Sequence, residues 1–263
     1  MAARKNMRLI FSNFKLNLKK EWQYKPSFFM QVIMMIFNDL FFIVQWQIIF
    51  SLVGDIGGYG FNETMLMWAI SAGAFGVART LFNGAWHIKD IVYEGKLDVY
   101  LTQPKNVLIN VCTSSSDVSA IGDLIYCFIV LVIIGAPWHY FLLTIPIIIL
   151  AGLLYVAIVV TYSTLAFYVK RGDALATAVD GTMLKAANYP PKIYNVVVKG
   201  ILFSVIPALF YTFVPVQYFL LTPNIWWILG LICFVGLWIG LAFLTFKIGL
   251  KRYNSGNLMG GRL

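Results

Sequence analysis

"YFLLTIPIIILAGLLYVAIVVTYSTLAFY", residues 140–168, decides the fold. It contains no Asp, Glu, Lys, Arg or His. It also outruns the roughly 20 apolar residues that cross a bilayer core as helix, so it reads as a span that tilts or continues past the membrane. Working outward, similar apolar runs lie at 28–52, 64–86 and 118–136 before it and at 195–215 and 225–247 after it. The chain of 263 residues is 60% apolar and 12% charged, where soluble domains run nearer half and a quarter. The expectation is an all-α integral membrane protein with six transmembrane helices. One six-span transmembrane domain over 28–250 is flanked by a segment at 1–27 and a tail at 251–263.

The net charge of +9 would suit nucleic acid, but the basic residues sit between apolar runs and no RNA-binding or zinc-finger spacing accompanies them. Anionic lipid headgroups are the expected partner, and nucleic acid is not. Lys and Arg crowd residues 1–27, 87–117, 169–199 and 247–263, whereas 53–63, 137–139 and 216–224 hold none. Under the positive-inside rule both termini are cytoplasmic. Trp46, Trp68, Trp86, Trp138, Trp226 and Trp227 fall near the proposed span ends, where indoles favour the headgroup layer. Cys112, Cys127 and Cys233 form no CxxC pair, so neither a disulfide framework nor a metal site is expected. No cleaved signal peptide is read at the basic amino terminus.

Three pieces are predicted to lie outside the spans. "MRLIFSNFKLNLKKEW", residues 7–22, repeats Met7, Ile10, Phe14, Leu18 and Trp22 at helical spacing, with Arg8, Lys15 and Lys19 mainly opposite. That pattern predicts an amphipathic helix on the inner leaflet. The segment near 87–104 carries "YEGKLDVYLTQP", residues 93–104, three charges among a dozen residues. Ile88, Ile91 and Val92 form an apolar edge there, Gly95 allows a break and Pro104 stops the following helix. "TSSSD", residues 113–117, then supplies hydroxyls and Asp117 to cap the third span. A second cytoplasmic segment, about 169–199, reads as a helix, "GDALATAVDGTMLKAA", ended by "NYPP".

Asp39 and Arg79 are the ionisable residues deepest in the spans, with Asp123 near the inner end of the third. Charges at that depth cost about 2.5–3.5 kcal/mol to insert and usually pair or line water. An Asp39–Arg79 pair is expected, with Asp123 as the competing partner. Gln31, Asn38, Gln45 and Gln47 share the first span with Asp39, which argues against a lipid-facing first span. "SAGAFGVA", residues 71–78, offers small residues for close helix approach. No nucleotide-binding loop, HExxH or GxSxG appears, and no catalytic or metal-ligating residue is assigned.

The run "YEGKLDVYLTQP", with Gly95, Leu97–Asp98, Leu101 and Pro104, resembles the stretch after the second span of ABC-2-type permeases. "GD" at Gly172–Asp173, "YPPKIY" (189–194), "VIPALFYTFVPVQYFL" and "SSSDVSAIGDLI" are similar to a subgroup of small six-span permeases. The resemblance implies a permease subunit with no ATPase site of its own. It implies two copies of a separate ATP-binding cassette ATPase that hold ATP and Mg, and a second permease, a paralogue rather than a self copy. It also implies export of a hydrophobic or amphipathic drug, lipid or peptide across a bacterial plasma membrane. Carried over to this chain, Ile88, Ile91, Val92, Glu94, Gly95, Leu97, Asp98 and Leu101 would form the ATPase-coupling segment, and residues 1–27 the connecting helix. The rival reading is an ion-coupled secondary transporter with Asp39, Arg79 and Asp123 as relay; no internal repeat aligns between the two halves to support it.

Overall fold

The computed structural model describes residues 2–169, 172–217 and 224–253. Lys170, Arg171, most of the 216–224 connection and the tail beyond 253 lie outside the described residues, as does the side chain of Asp173. Among those described, the regular structure is helical apart from an isolated bridge between Ile56 and Tyr59.

Four helices are long and apolar enough to cross a bilayer: α1 (Ala2–Glu21) running on into α2 (Lys25–Val53), α3 (Phe61–Phe82), α8 (Trp138–Ser163) and α12 (Ile225–Leu250). Between α3 and α8 lie three short helices, α4 (Ile88–Tyr93), α5 (Asp98–Leu101) and α6 (Val107–Cys112), and then α7 (Ala120–Ile133). The third predicted span corresponds to α7, apolar but only 14 residues long. After α8 come α9 (Gly172–Ala186), α10 (Val196–Ser204) and α11 (Ala208–Val216).

The fifth run is not one straight span. It breaks into α10 and α11, which meet at 93°. Pro207 has no N–H to continue the helical ladder, and its fixed φ suits the start of a new one. Pro207 is the residue that caps α11.

The core forms around α3, the most enclosed helix, packed between α7 and α8. Its small residues set the spacing. A Cβ on Gly76 would lie 3.0 Å from the Ala120 carbonyl oxygen, and one on Gly152 of α8 would lie 2.8 Å from that of Ala74. The "SAGAFGVA" stretch therefore does what small residues do between membrane helices, letting backbones approach where no hydrophobic force separates protein from lipid.

α2 packs differently. Only Val32, Asp39, Trp46 and Phe50 turn inward, while Phe37, Phe41, Val44 and Ile48 face out. The polar residues of this helix did not keep its first-span surface away from the surroundings: Asn38, Asp39 and Gln45 line one cavity, Gln31 and Gln47 are exposed, and the apolar stripe is left open.

The region 169–199 differs most from a loop confined to one side. Lys89 of α4 donates from Nζ to Thr177 Oγ1 at 3.2 Å, fixing the first half of α9 near the C-terminal end of α3. At the other end Lys192 lies over the Tyr59 ring, 5.7 Å from its centroid, and its Cβ occupies the space a Cβ on Gly57 would need. Gly57 and Tyr59 belong to the connection between α2 and α3 at the opposite end of the bundle. With about 1.5 Å of rise per residue, α9 covers about 22 Å of that distance. This polar-faced helix and its continuation to Lys192 together reach from one end of the bundle to the other, and its modest hydrophobicity hid its place in the bundle from a reading based on apolar runs.

Candidate functional site

A cavity of about 460 Å³ opens between α2, α3, α7 and α9. α2 contributes Asn38, Asp39, Phe42, Gln45 and Trp46, spaced so that one face of the helix meets the space. α3 adds Trp68, Ser71 and Phe75, α7 adds Asp123, and the end of α9 with its continuation adds Lys185, Asn188 and Tyr189. Trp46 makes edge contacts with Trp68 and Tyr189, at ring centroid distances of 6.4 and 5.5 Å, joining α2, α3 and the α9 continuation in one aromatic wall.

The acidic residues of this cavity are partnered otherwise than expected. Asp39 and Asp123 are 5% and 4% exposed and lie within hydrogen-bonding reach of each other. Asn38 donates from Nδ2 to Asp39 Oδ1 at 3.4 Å, while Oδ2 of each carboxyl accepts from no N–H or O–H of another residue. Among the described residues no Lys, Arg or His forms an ion pair with either.

Arg79 goes elsewhere, so the expected Asp39–Arg79 pair is corrected. Its Nη1 donates to Asn83 Oδ1 at 2.7 Å, and its Nε lies 3.9 Å from Asp117 Oδ2. The guanidinium also stands 4.7 Å from the Trp86 ring and 5.4 Å from the Phe75 ring. The cause is local. α3 ends at Phe82, and the 3-10 turn Asn83–His87 folds Trp86 back over the last helical turn. The backbone N–H of Asp117 meanwhile donates to the Arg79 carbonyl at 3.1 Å, which brings its carboxylate alongside. Asp117 Oδ1 accepts from Ser119 N–H and O–H, so it also shapes the entry to α7 as its sequence position suggested.

The segment predicted to couple to an ATPase folds back on its own chain. Ile88, Val92 and Leu97 are buried in the main core, and Ile91 packs partly against it. Gly95 has φ of +70°, the left-handed conformation that lets α4 end and the chain turn. Glu94, Lys96, Asp98, Val99 and Leu101 stay exposed, and Glu94 pairs with Lys96. That partner holds the Lys96 ammonium pKa above its ordinary value. The Tyr93 hydroxyl donates to the Val169 carbonyl at 2.9 Å. Burial, and then the charge of Asp98, raise the Tyr253 phenol above its usual range. Of the eight predicted coupling residues, the structure thus directs Ile88, Val92 and Leu97 inward and Glu94, Asp98 and Leu101 outward. Val99, exposed beside them, was missed because it lies off the helical spacing used to find the edge.

The amino-terminal helix is pinned by polar groups rather than by the predicted apolar stripe alone. Asn13 Nδ2 donates to Thr113 Oγ1 at 2.8 Å and to Asn110 Oδ1 at 3.3 Å. Asn17 Nδ2 donates to the Thr113 carbonyl and to Ser116 Oγ, both at 3.2 Å. Ile10, Phe14 and Leu18 sit on this inward side, whereas Met7 and Trp22 are exposed. The i, i+4 spacing of the two asparagines was the available signal.

Comparison with known families gives one result: a family model described as an ABC-2 family transporter protein matches residues 33–256. Neither the curated proteins nor the solved structures compared with the chain gave a match.

Proposed function

Because the chain belongs to the ABC-2 transporter family, we propose that it is the membrane permease subunit of an ATP-driven exporter. Separate ATP-binding subunits, which hold ATP and Mg, supply the energy, and a second permease completes the path. The family describes a membrane component and not the ATPase itself. One of the two ATPase copies docks on the exposed face that carries Glu94, Asp98, Val99 and Leu101. The termini lie in the cytoplasm of a bacterial cell, and the outward apolar stripe of α2 meets the second permease, more naturally a paralogue than a self copy.

One observation carries this reading. The segment that would receive the ATPase is bonded through Lys89 to Thr177 in the first half of α9, and the far end of α9 walls the cavity. Packed helices transmit displacement because interiors are nearly incompressible and shift between discrete arrangements. A push on α4 and α5 therefore reaches Lys185, Asn188 and Tyr189 without passing through a flexible loop. Arg79, held between Phe75 of the cavity wall and Trp86 beside α4, provides a second link. Since Arg79 pairs with Asp117, the three-residue relay required by an ion-coupled transporter is not assembled.

The test is purification of the tagged chain from its native membrane in mild detergent. An ATP-binding protein and a second permease should stay bound, and the double variant Glu94→Lys/Asp98→Lys should lose the ATPase. A homo-oligomer that retains no ATPase from wild-type membranes would overturn the proposal.

A further inference from the structure

Resting on the permease reading, we propose that the cavity between α2, α3, α7 and α9 binds an amphipathic organic cation, an ammonium or amidinium group carried on an aromatic or aliphatic body. Its volume of about 460 Å³ falls in the range that encloses a drug-sized molecule, about 300–1,000 Å³.

The walls specify the chemistry. Asp39 and Asp123 are more than nine-tenths buried and line this space, and the Oδ2 of each takes no hydrogen bond from any other residue than the facing carboxyl. The Oδ1 of Asn188, also lining it, is buried without a hydrogen-bond donor. Three such acceptors thus line one cavity, and among the described residues no cation pairs with either carboxyl, Arg79 being committed to Asp117 and Asn83. Buried acceptors left unmatched cost free energy that a donor-bearing ligand recovers. A cation with N–H groups satisfies all three and cancels the carboxylate charge.

The remaining wall suits the body of such a ligand. Phe42, Trp46, Phe75 and Tyr189 present ring surface, and aromatic faces attract cations as well as apolar groups. Lys185 also lines the cavity, but its side chain is exposed, where water screens its charge far more than the enclosed carboxyls are screened. A simple anion would meet the two carboxyls at the deep end, and a wholly apolar ligand would leave all three acceptors unmatched.

The test uses the full chain in detergent, with protein-free micelles as blank. Fluorescence anisotropy is recorded for rhodamine 6G, a cation with N–H groups, and for fluorescein, an anion on the same tricyclic body. Rhodamine 6G should bind saturably, and fluorescein should bind at least about tenfold more weakly. Asp39→Asn/Asp123→Asn should weaken rhodamine binding by at least about tenfold, as expected when a buried charge partner is removed. Asp39→Glu, which keeps the charge, should stay within about threefold of wild type. Elution volume and thermal unfolding establish that each variant is folded. If the double variant does not fold, Asp39→Asn and Asp39→Glu alone decide, and equal binding by the two sinks the proposal. Equal binding of the two dyes by wild type sinks it as well. The assay needs no ATPase. Cation binding by a chain that recruits no ATPase would leave the site standing and remove the exporter reading, and an ATPase-bound complex that ignores rhodamine would do the reverse.

Discussion

The Arg79 guanidinium lies 3.9 Å from the Asp117 carboxylate, and this pairing leaves Asp39 to face Asp123. The consequence is energetic separation of two charge systems that a sequence reader would join. In a double-mutant cycle on thermal or denaturant stability, Arg79→Gln and Asp117→Asn should be coupled. Arg79→Gln and Asp39→Asn should add to within about 0.3–0.5 kcal/mol. Strong coupling between Arg79 and Asp39 would mean that the two groups meet in the protein.

The course of α9 predicts which positions share a side of the membrane. Single cysteines at Lys192 and Asp55 should react with a membrane-impermeant maleimide from the same side, and one at Lys96 only from the other. Absolute orientation is irrelevant to this comparison. Labelling of Lys192→Cys and Lys96→Cys from one common side would place 169–199 wholly in the cytoplasm and remove the mechanical link from α4 to the cavity.

Two glycines should respond oppositely to the same change. A Cβ on Gly84 would collide with the Val111 carbonyl oxygen, and Ser114 Oγ would lie only 2.6 Å from it. Gly84→Ala should cost about 1–3 kcal/mol or more, as overpacking does. Gly236, in α12, has nothing within 4 Å of the corresponding position. Gly236→Ala should gain about 1 kcal/mol from helix propensity. Unfolding midpoints of the two purified variants check both signs.

The cysteines predict a thiol count. Cys233 is exposed, while Cys112 and Cys127 are buried. At pH 7.5 one equivalent of N-ethylmaleimide should react with the folded protein, rising to three after denaturation. Burial pushes the Cys112 thiol up to about 12 from an ordinary value of 9.0. As pH rises past about 9, the unfolded chain would ionise this thiol while the folded chain does not. Alkali therefore weakens the fold through Cys112, and Cys112→Ser should flatten the fall of the unfolding midpoint between pH 9 and 11. An unchanged slope would count against this assignment.

Apolar content and charge-free runs made α2, α3, α8 and α12 legible, because spanning hydrocarbon demands an uninterrupted apolar helix whatever the neighbours are. The break at Pro207 was half legible. Its missing N–H predicts a disturbance, but only packing of α11 against α3 and α12 turns that into a bend of 93°. α9 was illegible as a bundle element. Its surface is matched by partners such as Tyr155, whose hydroxyl donates to Asp180 at 2.7 Å, and a matched polar helix resembles a loop in composition. Asp39, Asp123 and Arg79 were found individually, since depth in a span marks an ionisable residue. Their pairing was not, because it depends on how α3, α7 and the turn after Phe82 meet.

The asparagine contacts of α1 also bear on how the protein is made. Asn13 and Asn17 are bonded to residues 96–100 positions later in the chain. At about 5–20 residues per second of synthesis, those partners emerge on the order of 5–20 s after α1 leaves the ribosome. Throughout that interval the helix lacks these polar partners, and its basic and apolar faces make the lipid headgroups its holding place. Only when the entry to α7 is threaded into the bilayer can α1 lock down, so its docking reports that the first half of the bundle has been inserted in register.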